Sequence, residues 1–167
     1  MLAGCLEAGG PDGAPPVTSP GTATPPATTP PAPPEPTPVP LDTLASGQQA
    51  QTREAARLVF TERDAFLAFW NATREDEQEP APAVDFDEAT AVAALLGPKP
   101  NGCWAVRMTN ATDDGYGATT VEVTAYRPPS DQMCTSVITY PWHVASLPGA
   151  QRDVTWTERE GTYPPSG

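Results

Sequence analysis

Thirteen of the thirty residues from 11 to 40 are proline, and no aromatic residue occurs among them. Proline fixes φ and lacks an amide hydrogen, so neither a helix nor a central strand can run through such a stretch. Thr, Ala and Gly fill most of the other positions. A segment of this composition buries too little apolar surface to offset the entropy of ordering. The expectation is a disordered tether of polyproline II character over residues 6–49. At about 3.1 Å per residue, its thirty proline-rich positions span roughly 90 Å. The foldable part is then a single domain over residues 50–160, of a size that supports one core, followed by a disordered tail over 161–167.

All nine Lys and Arg residues lie after position 52, yet the chain carries a formal net charge of −12. That sign argues against nucleic acid and against adhesion to anionic lipid heads. It is also the ordinary state of a soluble exported domain, so it names no partner by itself.

Three cysteines occur: Cys5, Cys103 and Cys134. An odd count asks for a separate role for one of them. The first five residues, Met1-Leu2-Ala3-Gly4-Cys5, resemble the lipobox of bacterial lipoproteins. In that family the small residues before the cysteine fit a signal peptidase. The thiol receives a diacylglycerol, and the preceding peptide bond is then cut. A full signal has basic and apolar segments further upstream, so the natural start is expected to lie ahead of Met1. The resemblance implies a lipid-modified Cys5 in the cell envelope, anchored in a membrane with the domain facing periplasm or exterior. More than one acyl chain makes such an anchor stable. In an exported protein Cys103 and Cys134 are expected to pair, because that compartment is oxidising. Two separate buried thiols are the alternative.

The domain reads as alternating short elements. Residues 55–60 suit a first strand. Thr61 followed by Asp64 resembles a capping box. Phe66, Phe69 and Trp70 recur at helical spacing, which predicts a helix over 62–73 with these rings against a sheet. The apolar run from Ala91 to Leu96, ending at Gly97, suits a buried strand. Alternation over 103–109 and 120–126, around the loop Asp113-Asp114-Gly115-Tyr116-Gly117, predicts an antiparallel hairpin. A strand over 136–147 is interrupted by Pro141, and residues 154–156 make a short last strand. The fold class is α+β: a mainly antiparallel sheet domain with one packed helix.

Catalytic chemistry is not legible. The one histidine, His143, cannot build a zinc site without help, and no Cys-x-x-Cys, nucleophile elbow or phosphate loop occurs. The acidic groups Asp85, Asp87, Glu88 and Asp113, Asp114 lack EF-hand spacing and read as solvated loops. No cofactor or metal is expected. Asn71-Ala72-Thr73 and Asn110-Ala111-Thr112 match the glycosylation sequon, a coincidence if the source is bacterial.

From Val84 to Pro148 the order of features resembles the C-terminal domain of the PrcB family, subunits of a protease complex. The matching features are Val84-Asp85-Phe86, the apolar strand Ala91 to Gly97 and the turn Asn101-Gly102-Cys103-Trp104. The hairpin and Tyr140-Pro141-Trp142-His143-Val144, up to Leu147-Pro148, complete them. Cys103 and Trp104 stand where the family has glycine and tyrosine, and Cys134 is a local addition. The resemblance implies a lipoprotein that binds and stabilises a surface protease, and it carries no catalytic residues. A non-enzymatic tethered binding module is therefore expected, with Trp104, Tyr140, Trp142 and His143 as candidate partner contacts. The competing view places these rings in the core. Two other classes stay open: a structural envelope lipoprotein without a defined ligand, and a hydrolase using the acidic loops.

Overall fold

A computed structural model describes residues 32–74, 79–150 and 152–162 of the chain. Residues 1–5, with Cys5, and the tether up to residue 31 lie outside them. The described residues form eight strands and one helix: β1 (Thr37–Pro38), β2 (Asp42–Gly47), β3 (Ala55–Phe60), α1 (Arg63–Thr73), β4 (Ala89–Leu96), β5 (Ala105–Asp113), β6 (Ala118–Arg127), β7 (Trp142–Pro148) and β8 (Asp153–Thr162). They make two four-stranded sheets, in the orders β1-β5-β6-β8 and β2-β7-β4-β3.

The expected α+β class holds, with one packed helix, but the strands form two stacked sheets. The reason lies in β4. Residues 91–96 are all buried, although side chains of a strand alternate between its faces. Val92, Ala94 and Leu96 point into a core shared with Val106, Met108, Val121 and Val123 of the opposing sheet. Ala91, Ala93 and Leu95 point the other way, into a second core with Phe60, Phe66, Trp70, Trp142 and Val144. A strand covered on both faces reads as a continuous apolar run, and the small Ala side chains let both layers approach.

Helix α1 covers that second face. Glu62 is its N-cap, with extended backbone and no side-chain capping bond, so the expected Thr61–Asp64 capping box does not form. Asp64 lies in the first turn, where a carboxylate suits the helix dipole. Phe66 and Trp70, four residues apart, share the buried face. Phe66 packs against Phe60, Trp70 and Phe86 at centroid distances of 5.6, 6.2 and 5.8 Å. Trp70 meets the edge of Trp142 at 5.9 Å. Its indole N–H donates to the Glu79 carbonyl at 3.3 Å.

Three boundaries differ from expectation. The domain begins before residue 50, because β1 pairs with β5 and β2 pairs with β7. Val39, Leu41 and Leu44 supply the apolar contacts, half-buried against the two cores. Pro38 is tolerated because β1 is an edge strand. Residues 136–141 lie outside the strands, with isolated bridges at Thr139 and Tyr140: Pro141 accepts the Leu96 amide at 3.0 Å but has no amide to return, and β7 begins at Trp142. The last strand is ten residues long, runs parallel to β6 from Ala118↔Asp153 to Arg127↔Thr162, and takes in residues 161–162 of the expected tail. Parallel neighbours need a long crossover, which the loop after β6 and strand β7 of the other sheet provide.

At the end of β4, Gly97 adopts φ +67°, and a Cβ there would lie 3.0 Å from the Ala55 amide nitrogen. Only glycine meets both conditions without strain. The interlayer contacts make Phe66 the side chain on which helix docking depends. Phe66→Ala is expected to cost about 3–5 kcal/mol of unfolding free energy. A urea titration followed by circular dichroism checks this, and a loss below about 1 kcal/mol would contradict the described helix packing.

Candidate functional site

The four aromatic and histidine positions expected to contact a partner do not form one surface. Consecutive residues of β7 face opposite cores, which separates Trp142 from His143. Trp142 is buried in the helix-side core, and Gly47 lies opposite it on β2. A Cβ at Gly47 would sit 2.6 Å from the Trp142 indole nitrogen, so the missing side chain is what admits the ring. His143 is wholly buried. The Met108 amide donates to its Nδ1 at 3.2 Å. The ring proton therefore sits on Nε2 and is donated to Thr43 Oγ1 at 3.1 Å. His143 thus ties β7 to β2 on one side and to β5 of the opposing sheet on the other. It is a structural cross-link rather than a surface contact, because its ring is spent on partners within the protein.

Trp104 and Tyr140 are half-buried and keep an accessible side. Each carries cations on its ring: Lys99 Nζ lies 5.0 Å and the Arg127 guanidinium 5.7 Å from the Trp104 centroid, and Arg53 lies 5.4 Å from that of Tyr140. Trp104 lines a cleft of about 550 Å³ between the two sheets, where the edge strands β3 and β8 meet. Ala55, Leu96 and Ala125 form its apolar part. Arg57 spans it, donating to the carbonyls of Ala56 and Leu95 at 2.8 and 2.7 Å and to Glu158 of the other sheet at 2.8 Å. The Arg57 Nε is buried without an acceptor, a state that costs about 1–3 kcal/mol.

Beside the cleft runs the fourteen-residue connection 128–141 between β6 and β7. Loops this long without regular structure are uncommon in compact domains. This one is held by a disulfide from Cys134 to Cys103, with Cα atoms 5.6 Å apart, as expected from the compartment argument. The bridge closes a sequence separation of 31 residues, which contributes roughly 3–4 kcal/mol in the chain-entropy picture. Backbone bonds fix its far end: Lys99 and Thr139 exchange two, at 2.8 and 3.0 Å, and Gly102 donates to Thr135 at 3.2 Å. At and between these fixed points the loop presents apolar side chains to solvent, Met133 just before Cys134 and Val137 and Ile138 between Thr135 and Thr139. Met133 is 97 % exposed, Val137 56 % and Ile138 58 %. Sequence reasoning placed Val137 and Ile138 inside a strand. Their β-branched character misled, because the residue that decides is Pro141.

The acidic groups are occupied by local structure. Asp113 Oδ1 accepts the Gly115 amide, and Asp114 Oδ1 accepts those of Tyr116 and Ala118. Asp85 Oδ1 accepts the Asp87 amide. Asp113 also holds Arg152 at 3.1 Å, and Arg152 reaches Thr119 at 2.7 Å. Among the described residues no three His, Cys, Asp or Glu side chains converge as a metal site. No described helix is long and apolar enough to cross a membrane.

One comparison with known proteins finds a likeness over strands β4 to β7 and their connections. Residues 90–148 match the family model described as PrcB C-terminal. The match begins at Thr90 in β4 and ends with β7, so the matched residues include Trp104, both bridged cysteines and the apolar loop. Helix α1, strands β1 to β3 and β8 lie outside it. No curated protein and no solved structure matches the chain.

Burial of His143, and secondarily the nearby Arg107 charge, lower its pKa from 6.5 to about 4. The unfolded chain therefore binds a proton that the folded chain refuses between these values. Stability from this group is complete above about pH 6.5 and falls as pH drops towards 4, by on the order of 3 kcal/mol. His143→Asn keeps an acceptor for Met108 and cannot titrate. It is expected to be less stable at pH 7 but to show a shallower decline of unfolding free energy from pH 6.5 to 4. Parallel declines in the two proteins would rule out the histidine as the source.

Proposed function

We propose that the domain is a non-catalytic docking module, carried on a lipid-anchored chain, that binds and stabilises a protein partner. The observation that carries this reading is the stapled loop. Exposed Val and Ile lower solubility and serve no purpose in the fold, yet here a covalent bridge holds them in place. Preorganisation of this kind lowers the entropy that binding would otherwise cost. Aromatic groups with an accessible face, Trp104 and Tyr140, flank the loop and suit an interface. The match to PrcB, whose resemblance implies a protease-complex subunit, supports a protease as the partner class.

Two features support anchoring at Cys5. The lipobox-like Leu2-Ala3-Gly4-Cys5 precedes a proline-rich spacer, and the other two cysteines are paired with each other. Such a chain places a binding domain in the envelope at a distance from the membrane. Intact mass and tryptic mapping of protein produced from its native gene, with any natural upstream sequence included, is expected to show a diacylglyceryl-modified Cys5 as the new N-terminus. Unmodified Cys5 in that material would remove the anchor.

Docking is tested by affinity capture from native membranes. The parent chain is expected to retain a protease, and Val137→Asp combined with Ile138→Asp to lose it at least tenfold. Both positions are solvent-exposed, so the melting temperature should shift by no more than about 2 °C. Equal capture by the variant would dismiss the loop as the contact.

A further inference from the structure

We propose that the cleft between β3 and β8 is a second recognition site, one that takes an extended acidic segment of a protein partner. The inference rests on the reading of the domain as a docking module, but on a different surface from the apolar loop.

The first ground is charge. The chain is strongly acidic, yet four of its nine basic residues, Arg57, Lys99, Arg127 and Arg159, line this one cleft against two carboxylates, Glu158 and Glu160. They come from β3, the β4–β5 connection, β6 and β8, so the fold gathers them from four separate places. Even with Glu122, which pairs with Arg159 at 3.4 Å, counted against these cations, the local sign is the reverse of the global one. A short acidic strand is drawn in, while a long polyanion such as nucleic acid meets the repulsion of the remaining surface.

The second ground is how these cations are held. Lys99 lies over the Trp104 ring and makes no ion pair among the described residues. Its three ammonium hydrogens stay available to a carboxylate while the ring fixes its position. Arg127 also lies over that ring and pairs with Glu160, whose side chain is 65 % exposed. An exposed pair of this kind is weak, so an incoming carboxylate can take the place of Glu160. The volume, about 550 Å³, is in the range of sites that enclose a few residues of extended chain. The accessible part of the half-buried Trp104 ring and the methyls of Ala55 and Ala125 offer apolar contact between the charges.

The third ground is position. β3 and β8 are the outermost strands of their sheets on this side, so the cleft is open along its length. Lys99 also pairs through its backbone with Thr139 of the stapled loop. The apolar and the cationic surfaces are thus adjacent, and a single partner carrying an apolar patch next to an acidic segment covers both.

The test uses the full chain with ¹⁵N-labelled tryptophan, titrated with acetylated hexaglutamate amide at low salt. Hexalysine and inorganic phosphate serve as comparison probes. The indole resonance of Trp104, assigned by Trp104→Phe, is expected to shift and saturate with hexaglutamate, and to return towards its free position in 0.5 M NaCl. Lys99→Glu should weaken binding at least tenfold. Glu160→Gln removes the competing carboxylate and should tighten it severalfold, a gain that misfolding cannot produce. Val137→Asp with Ile138→Asp should leave the titration unchanged, which separates this site from the loop. No shift, unchanged affinity in Lys99→Glu, weaker binding in Glu160→Gln, or equal saturation by phosphate would each overturn the proposal.

Discussion

Everything in this fold depends on β4 being covered on both faces. Its residues 91–96 bind the helix layer on one side and the opposing sheet on the other, and neither layer is buried without it. The strand also sets its neighbours: β3 and β7 pair along nearly its whole length. Because β7 must then alternate between the two cores, Trp142 and His143 are committed to the interior. The cross-sheet bonds of His143 to Met108 and Thr43 follow from that commitment. A neutral imidazole, with one donor and one acceptor, is suited to joining an amide and a hydroxyl across a dry gap.

With the interior fixed in this way, the exposed apolar and cationic groups collect at the margins of the two sheets. One margin is the connection from β6 to β7, which crosses from sheet to sheet and is too long to be held by packing alone. The disulfide and the Lys99–Thr139 bridge hold it. The other margin is the β3–β8 edge, where Arg57 of one sheet grips Glu158 of the other. Both lie next to the segment from Lys99 to Trp104. That segment is also where the bridge attaches.

Much of the architecture was legible because it rests on short-range pattern. The strand at 55–60, the helix face of Phe66 and Trp70, the apolar run at 91–96 and the hairpin around Gly115 each announce themselves within a dozen residues. The second sheet was not legible, since it requires knowing that Val92 and Ala93 face different partners. Strands β1 and β2 were hidden by prolines that an edge strand tolerates, and the parallel pairing of β8 with β6 has no local signature. The disulfide followed from compartment and cysteine count, while of the four expected contacts only Trp104 and Tyr140 keep partial exposure. Trp142 and His143 were misplaced because strand alternation could not be phased across Pro141. The cationic cleft left no trace, as its four basic residues are scattered over a hundred positions.

The way the proline-rich chain enters the fold has a mechanical meaning. Its last residues become β1, which pairs with β5 through only Thr37 and Pro38, then cross through Val39 and Leu41 to become β2 in the other sheet. A pull from the N-terminal side reaches β1 first. Pro38 offers no amide there, and the Val39 bond to Ala111 is the next to bear load. The short strand acts as a weak outer latch ahead of the longer β2–β7 ladder. Tension would be spent on the latch before it disturbed the two cores, the stapled loop or the cleft on the far edge.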